Sequence, residues 1–357
     1  MAAAKGKKTL QRTGVEPVSQ RMLADYLGLS PATVSLVLNG SPVADSIPQE
    51  TKDRVFAAAR HFDYRPNFVA RSLRTQRSFM IGVLVPEVSE GYASAVMGGI
   101  EDQLLQEGYF YLVASHRHRQ DLIDEYPRVL HRRSVEGLIA VDTPWSQEIA
   151  IPVVAVSGRG QFKGITNIVL DHERAAELAL EHLYHLGHRR VAFIKGQAFS
   201  SDTEARWNAI LKAARRLSLE IHRELVVQLE GDSPSPEVGY GVTHKLLASR
   251  ESFTALFAFN DISAIGAIRA LRENGRRVPE DVSVVGFDDI LSAAFQNPGL
   301  TTVRQPLRRM GSLAAETVLR SIATPAAHRA SRLITVEPEL VVRESTCAAP
   351  ARKALRT

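Results

Sequence analysis

Two groups of histidines, His116 with His118 and His182 with His185 and His188, carry side chains able to bind a metal. Neither group comes with a cysteine or a fixed carboxylate to complete a ligand set, and clustered histidines commonly coat a surface. The single cysteine, Cys347, rules out an intramolecular disulfide and a cysteine-rich zinc site, and it fits a reducing cytoplasm. The chain has no G-x-x-x-x-G-K-[ST], no G-x-S-x-G, and no G-x-G-x-x-G after a strand. No catalytic residue, metal or cofactor is therefore expected.

Basic side chains are the stronger signal. Residues 1–77 hold twelve Lys and Arg against six Asp and Glu, whereas the remaining 280 hold 32 against 33. Such a placement favours a polyanion, because bound cations are released as the basic groups approach it. A solvated basic tail accounts for Lys5, Lys7, Lys8 and Arg12. It does not account for Arg54, Arg60, Arg65, Arg71, Arg74 and Arg77, which recur through helix-like sequence. No apolar run at the start suits a signal peptide, and no stretch approaches 18 apolar residues, so a cytoplasmic, nucleoid-associated protein without a membrane partner is expected.

The elements that must carry these groups fall into two kinds. Residues 18–62 read as three short helices. Ser19 can cap the first, with Leu23, Ala24 and Leu27 on one face, and Gly28 ends it by tolerating a left-handed backbone. Ser30 caps the second, with Pro31 where a missing N–H costs nothing; Val34, Val37 and Leu38 face inward and Asn39-Gly40 stops it. The third runs from about Pro48 with Val55, Ala58, Ala59 and Phe62 on its buried stripe. Two short helices on a glycine turn with a bracing third match a helix-turn-helix, although small helical bundles share the pattern.

From Phe79 onward, short β-rich runs alternate with helical periods. The runs are Met80–Val85, Phe110–Ala114, Gly137–Val141, Val153–Val156, Val191–Lys195, Leu225–Gln228, Ala255–Phe259 and Ser283–Phe287. Between them lie amphipathic segments at Ala95–Gln106, Arg174–Leu186, Glu204–Leu217 and Ile262–Asn274. Alternation of this kind predicts parallel sheets covered by helices on both faces. The length suits two doubly wound lobes, with a ligand at the carboxyl ends of strands in the cleft between them. The predicted division is a basic tail (1–17), a helix-turn-helix domain (18–65), a linker (66–78), a two-lobed α/β domain (79–345) and a C-terminal tail (346–357).

Several motifs recur in a telling order: Leu29-Ser30-Pro31-Ala32-Thr33-Val34-Ser35 with Leu38-Asn39-Gly40, Tyr64-Arg65-Pro66-Asn67, Val69-Ala70-Arg71-Ser72-Leu73 and Ile81-Gly82-Val83-Leu84-Val85-Pro86. His185-Leu186-Gly187-His188-Arg189, Phe259-Asn260-Asp261, Val284-Val285-Gly286-Phe287-Asp288-Asp289 and Leu300-Thr301-Thr302-Val303-Arg304-Gln305-Pro306 complete the set. With these, the chain resembles the LacI/GalR family of bacterial transcriptional regulators from Val18 to about Ser345. The resemblance implies a periplasmic-binding-protein-like two-lobed domain and a homodimer on pseudo-palindromic double-stranded operator DNA. It implies repression controlled by a small-molecule effector. A secreted solute-binding protein shares the two-lobed fold but would need a secretion signal and no DNA module.

By that resemblance the second helix lies in the major groove, with Pro31, Ala32 and Leu36 as the principal base readers. None has a side-chain donor or acceptor, and many relatives carry an arginine at the position of Leu36. Ala32 and Leu36 can touch thymine methyls, so a half-site unlike the arginine-type operators is expected; the competing reading makes Leu36 a core residue. Ser19, Ser30, Thr33, Ser35 and Asn39 join the DNA-facing set, with phosphates as their targets. Residues 67–74 form a hinge helix on the operator, where Leu73 wedges into a base step, Ala70 lies against the groove floor, and Asn67 and Arg74 reach bases or backbone.

The effector set implied by the family is Arg206, Asn260 and Asp288, with Asp261 beside them. Tyr92, on the loop after the first strand, is the candidate stacking face. Ser157 stands where sugar-responding relatives often carry an acid, and Ser233 where some carry tryptophan. Ser200 and Asp202 replace the arginine and threonine of purine-responding members, so a sugar or sugar derivative is the expected ligand. No leucine heptads follow Ser345, and a tetramerisation helix is not expected.

Overall fold

The computed structural model describes residues 18–64, 72, 76–88, 91–145, 147–157, 164–232, 235–249, 251–324 and 332–350. Asn67, Ala70, Leu73 and Arg74 of the expected hinge, and Ser233, lie outside the described residues. The chain divides into two compact units, 1–77 and 78–357.

In the first unit, α1 (Gln20–Leu27), α2 (Pro31–Leu38) and α3 (Gln49–His61) form where the caps predict them. The Ser19 hydroxyl accepts from Met22 N, and Gly28 closes α1 at φ 66°. The Ser30 hydroxyl accepts from Thr33 N at 3.0 Å with Pro31 behind it. Leu23, Ala24, Val34, Val37, Val55 and Ala58 are the buried centre, and Leu27, Leu29, Leu38 and Phe62 pack around it.

The second unit is built on two six-stranded sheets. The first has the order β11-β5-β4-β3-β1-β2, from β1 (Met80–Val85), β2 (Phe110–Ser115), β3 (Gly137–Val141), β4 (Val153–Val156), β5 (Ile165–Leu170) and β11 (Arg332–Val336), all parallel. The second has the order β12-β10-β9-β8-β6-β7, from β6 (Val191–Lys195), β7 (Val226–Gln228), β8 (Ala255–Ala258), β9 (Ser283–Asp288), β10 (Thr301–Arg304) and β12 (Glu339–Val341). Only β12 runs antiparallel among the paired strands of that sheet. Each sheet has an apolar core on both faces, which is why its central strands read as unbroken runs of Val, Ile, Leu and Ala.

One helix–helix contact holds the first lobe together across some two hundred residues of sequence. The Tyr92–Gln106 and Leu307–Ala323 helices meet at Gly99 and Gly311. A Cβ on Gly99 would strike the Arg308 carbonyl, and one on Gly311 the Val96 carbonyl, so only glycine lets the backbones approach.

Three sequence expectations need correction. Tyr92 is the first residue of its helix rather than a loop residue. The C-terminal tail does not begin at Thr346: Cys347 N donates to the Ser283 hydroxyl at 3.0 Å and Ala349 N to the Leu186 carbonyl at 2.8 Å, so the second lobe extends to residue 350. His188 does not coat a surface, as clustered histidines commonly do: it is buried among the Thr254 and Ser283 hydroxyls and the Cys347 carbonyl.

Candidate functional site

Each unit presents one candidate surface. In the first it is the outer face of α2. Pro31 and Ala32 are exposed, and Leu36 is half-buried and outside the apolar cluster that Val34 and Val37 enter. The core reading of Leu36 is thereby set aside. The polar neighbours are partly spent on the helix itself: Ser30 shares a hydrogen bond with the Thr33 hydroxyl at 2.8 Å, and Asn39 Nδ2 donates back to the Ser35 carbonyl at 2.6 Å and its hydroxyl at 3.1 Å. Ser19 therefore acts first as a cap of α1, and Ser30 and Asn39 as caps of α2.

In the second unit, a cleft of about 790 Å³, its open mouth included, lies between the lobes. Its walls come from strand carboxyl ends: Pro86 and Tyr92 after β1, Asp142 after β3, Gln197 to Asp202 after β6, Phe259 and Asn260 after β8, and Asp288 ending β9. In both sheets the order reverses at the first strand of the lobe, where parallel folds open their ligand crevice. Asp142, Ser157 and Asp288 hold φ of 39°, 57° and 110°, conformations that cost a non-glycine residue about 1–3 kcal/mol each and recur at working sites.

Arg206 is the centre of the arrangement, only 4% exposed. Its guanidinium lies 3.6 Å from the Phe287 ring centre and 4.3 Å from that of Phe259, donates to the Phe259 carbonyl, and faces Asp202 at 3.6 Å. Two of its nitrogens are thus already engaged by the protein, while Nε is buried without a hydrogen-bond partner. Burial works against ionisation of Asp202, but His172 at 3.3 Å and Arg206 outweigh it and hold its pKa below the ordinary carboxylate value. Asp142 and Asp288 go the other way, each raised to about 7 by burial, with the Asp202 charge adding to both. The lobes touch through Ser201, whose hydroxyl donates to Asp142 Oδ1 at 2.7 Å and to the Ser157 carbonyl.

The expected effector residues are brought together. Tyr92 and Ser157 share a 2.6 Å hydrogen bond on one wall, and Asn260 lines the cleft while its Oδ1 caps the next helix by accepting from Ser263 N at 2.9 Å. Asp261 is not part of the set. It is fully buried, accepting from the Thr302 hydroxyl at 2.6 Å and from Ile290 N at 2.9 Å. Sequence reasoning missed Asp142, His172 and Gln305. Asp142 follows a strand it had identified, and the rule that found Asp288 applies equally there.

Raised carboxylate pKa values fix a sign for stability against pH. Asp142 and Asp288 keep protons in the folded state that the unfolded chain releases near pH 4, so raising the pH from there to about 7 removes stability. Thermal unfolding of the second unit is expected at a higher temperature at pH 5.5 than at pH 8; a transition that rises steadily with pH across that window would contradict this.

Residues 23–67 match the profile of bacterial regulatory proteins of the lacI family, and residues 180–346 that of a periplasmic-binding-protein-like domain. The chain is 32% identical over 340 residues to the HTH-type transcriptional repressor PurR of Serratia proteamaculans (92% of this chain, 96% of that one) and 31% over 334 residues to the protein of that name from Haemophilus influenzae (90% and 97%). Among solved structures, the lac repressor dimer bound to operator and the anti-inducer ONPF superposes with a TM-score of 0.81 at 28% identity, covering 93% of this chain and all of that one. The CelR–cellobiose complex gives 0.67 at 25% identity (92% and 99%), and a LacI-family regulator from Enterococcus faecium with bound ribose gives 0.67 at 27% (76% and 100%).

Proposed function

The chain belongs to the LacI family of bacterial regulatory proteins, and on that premise we propose that it is a homodimeric repressor whose grip on operator DNA is set by a small molecule in the cleft. The observation that carries the reading is the pairing, in one chain, of a capped helix-turn-helix with an outward Pro31–Ala32–Leu36 face and a ligand-sized cleft between two parallel sheets. Nothing in the reading requires a catalytic step, and the protein's place is on the nucleoid in the cytoplasm.

A dimer supplies two readers for two half-sites. It is supported by large apolar side chains left exposed on the second unit: Phe110 and Val113 on the edge strand β2, and Leu291 and Phe295, the last 80% exposed. Residues 67–74 are proposed as the hinge that enters the minor groove. The effector class is a sugar or sugar derivative, whose hydroxyls can donate to Asp142, Asp202 and Asp288 and accept from Asn260. Ligands of that class occupy the CelR and Enterococcus faecium neighbours. The effector can move operator affinity only by as much as it prefers one arrangement of the lobes over the other.

Selection of bound duplexes from a random library, with the full-length protein, tests the DNA half of the proposal. A two-fold symmetric site should emerge whose half-site lacks the guanine that an arginine at position 36 would read. In the same selection Leu36→Arg should add that guanine, with a preference of about 1–3 kcal/mol at that position. Recovery of unordered sequences by the wild type would sink the reading, and an unchanged half-site in the variant would remove Leu36 from the readers.

A further inference from the structure

Among the described residues the cleft holds more carboxylates than cations, which specifies its ligand further, given that it is an effector site at all. Carboxylates line it at Glu87, Asp142, Asp202, Asp232 and Asp288, against the single guanidinium of Arg206 among the described residues. Three of them, Asp142, Asp202 and Asp288, line the cleft together with Tyr92, whose ionisation is suppressed first by burial and then by these carboxylates. Arg206 and the His172 imidazole both contact Asp202, at 3.6 and 3.3 Å. Asp142 is bonded by Ser201 N at 3.2 Å and the Ser201 hydroxyl, and Asp288 by Gln305 Nε2 at 2.6 Å, all neutral donors. His118, on the rim 3.9 Å from the Phe199 ring, has its pKa lowered by burial despite Asp232 and adds no firm positive charge.

Burying a carboxylate without a cation is costly, and an opposite charge within a few ångströms removes the cost. A phosphate or carboxylate on the ligand would instead face the ionised Asp202 and make ionisation of Asp142 and Asp288 costlier still. We propose that the effector is an unphosphorylated, hydroxylated compound bearing a protonated amine, an amino sugar being the simplest, with its ammonium among Asp142, Asp202 and Asp288 beside Tyr92. The hydroxyls keep Asn260 and the buried Arg206 Nε as their own partners. Neither Arg nor Asn needs a charge on the ligand for this.

The full-length protein can be titrated calorimetrically at pH 6.5, where the amine is charged, with D-glucosamine, D-galactosamine and D-mannosamine beside their parent hexoses and hexose 6-phosphates. At least one amino sugar should bind tenfold or more tightly than its parent, its 6-phosphate analogue should not bind, and binding should release protons as Asp142 and Asp288 ionise. Asp142→Asn, which keeps the shape of the side chain and an acceptor for Ser201, should cut the preference for the amine to under threefold, and an undiminished preference would overturn the placing of the ammonium. A parent hexose that binds as tightly as its amine overturns the proposal and leaves the cleft an effector site. So does any 6-phosphate that binds. If none of the nine compounds binds, this proposal fails together with the sugar reading it rests on.

Discussion

Arg206→Ala should leave a repressor that still holds its operator but no longer answers its effector. The guanidinium is packed between Phe259 and Phe287, and it meets Asp202, which the His172 imidazole also contacts. Removing one member of a buried charge pair costs about 3–5 kcal/mol, because the partner stays buried without compensation. Here the His172 imidazole still contacts Asp202, and Asp288 is already raised to about 7 and can stay protonated, so the lower end of that range is expected. Asp202 ionises more readily folded than unfolded, so its share of stability is present above the unfolded pKa and fades as pH falls through the folded one. The variant's deficit in urea unfolding should therefore shrink below about pH 4, where unfolded aspartates begin to protonate. Effector affinity should fall at least a hundredfold, since both the ring-held nitrogen fork and the charge that tempers the cleft carboxylates are gone. An operator titration with and without effector reads the outcome. A variant that kept the wild-type response, with unaltered stability, would show that Arg206 only fills space.

The contrast between what could and could not be read from sequence is itself physical. The capped helices of the first unit were legible because Ser19, Gly28, Ser30 and Pro31 act within four residues of themselves. Central strands such as Gly137–Val141 and Val153–Val156 were legible because burial on both faces leaves an unbroken apolar run. The edge strands β11 and β12 were not, since half-buried sequence such as Arg332–Val336 pairs only after the chain has crossed between lobes. The Leu307–Ala323 helix escaped for a related reason: its packing partner is Gly99, some two hundred residues away. In the cleft, Asp288 and Asp142 obey one rule, yet only one had a motif around it to draw notice. Asp261 shows the reverse error. One position past Asn260, its side chain turns under the sheet to Thr302 and leaves the cleft. A motif marks the neighbourhood, and only the turn of the backbone decides which side chain faces the ligand.

Leu23→Ala should abolish operator binding while leaving the effector cleft intact. Leu23 is fully buried in α1, among Ala24, Val34, Val37, Val55 and Ala58. A leucine-to-alanine cavity costs about 2–5 kcal/mol wherever the surroundings cannot collapse. That loss falls on a unit with few large side chains at its centre, and small domains carry little stability to spare. Its helices are each 8 to 13 residues long, too short to persist in water without tertiary packing. Once the centre fails, α2 has nothing to fix the Pro31–Ala32–Leu36 face, and operator affinity should drop more than a hundredfold at 37 °C. The second unit has its own four apolar clusters and should keep its thermal transition and its ligand affinity. Limited proteolysis should accordingly cut the variant within residues 18–64 and spare the rest. Loss of both activities in parallel would mean that the units do not fold independently. An operator affinity within threefold of wild type would mean that DNA itself supplies the missing stability, through linkage between binding and folding.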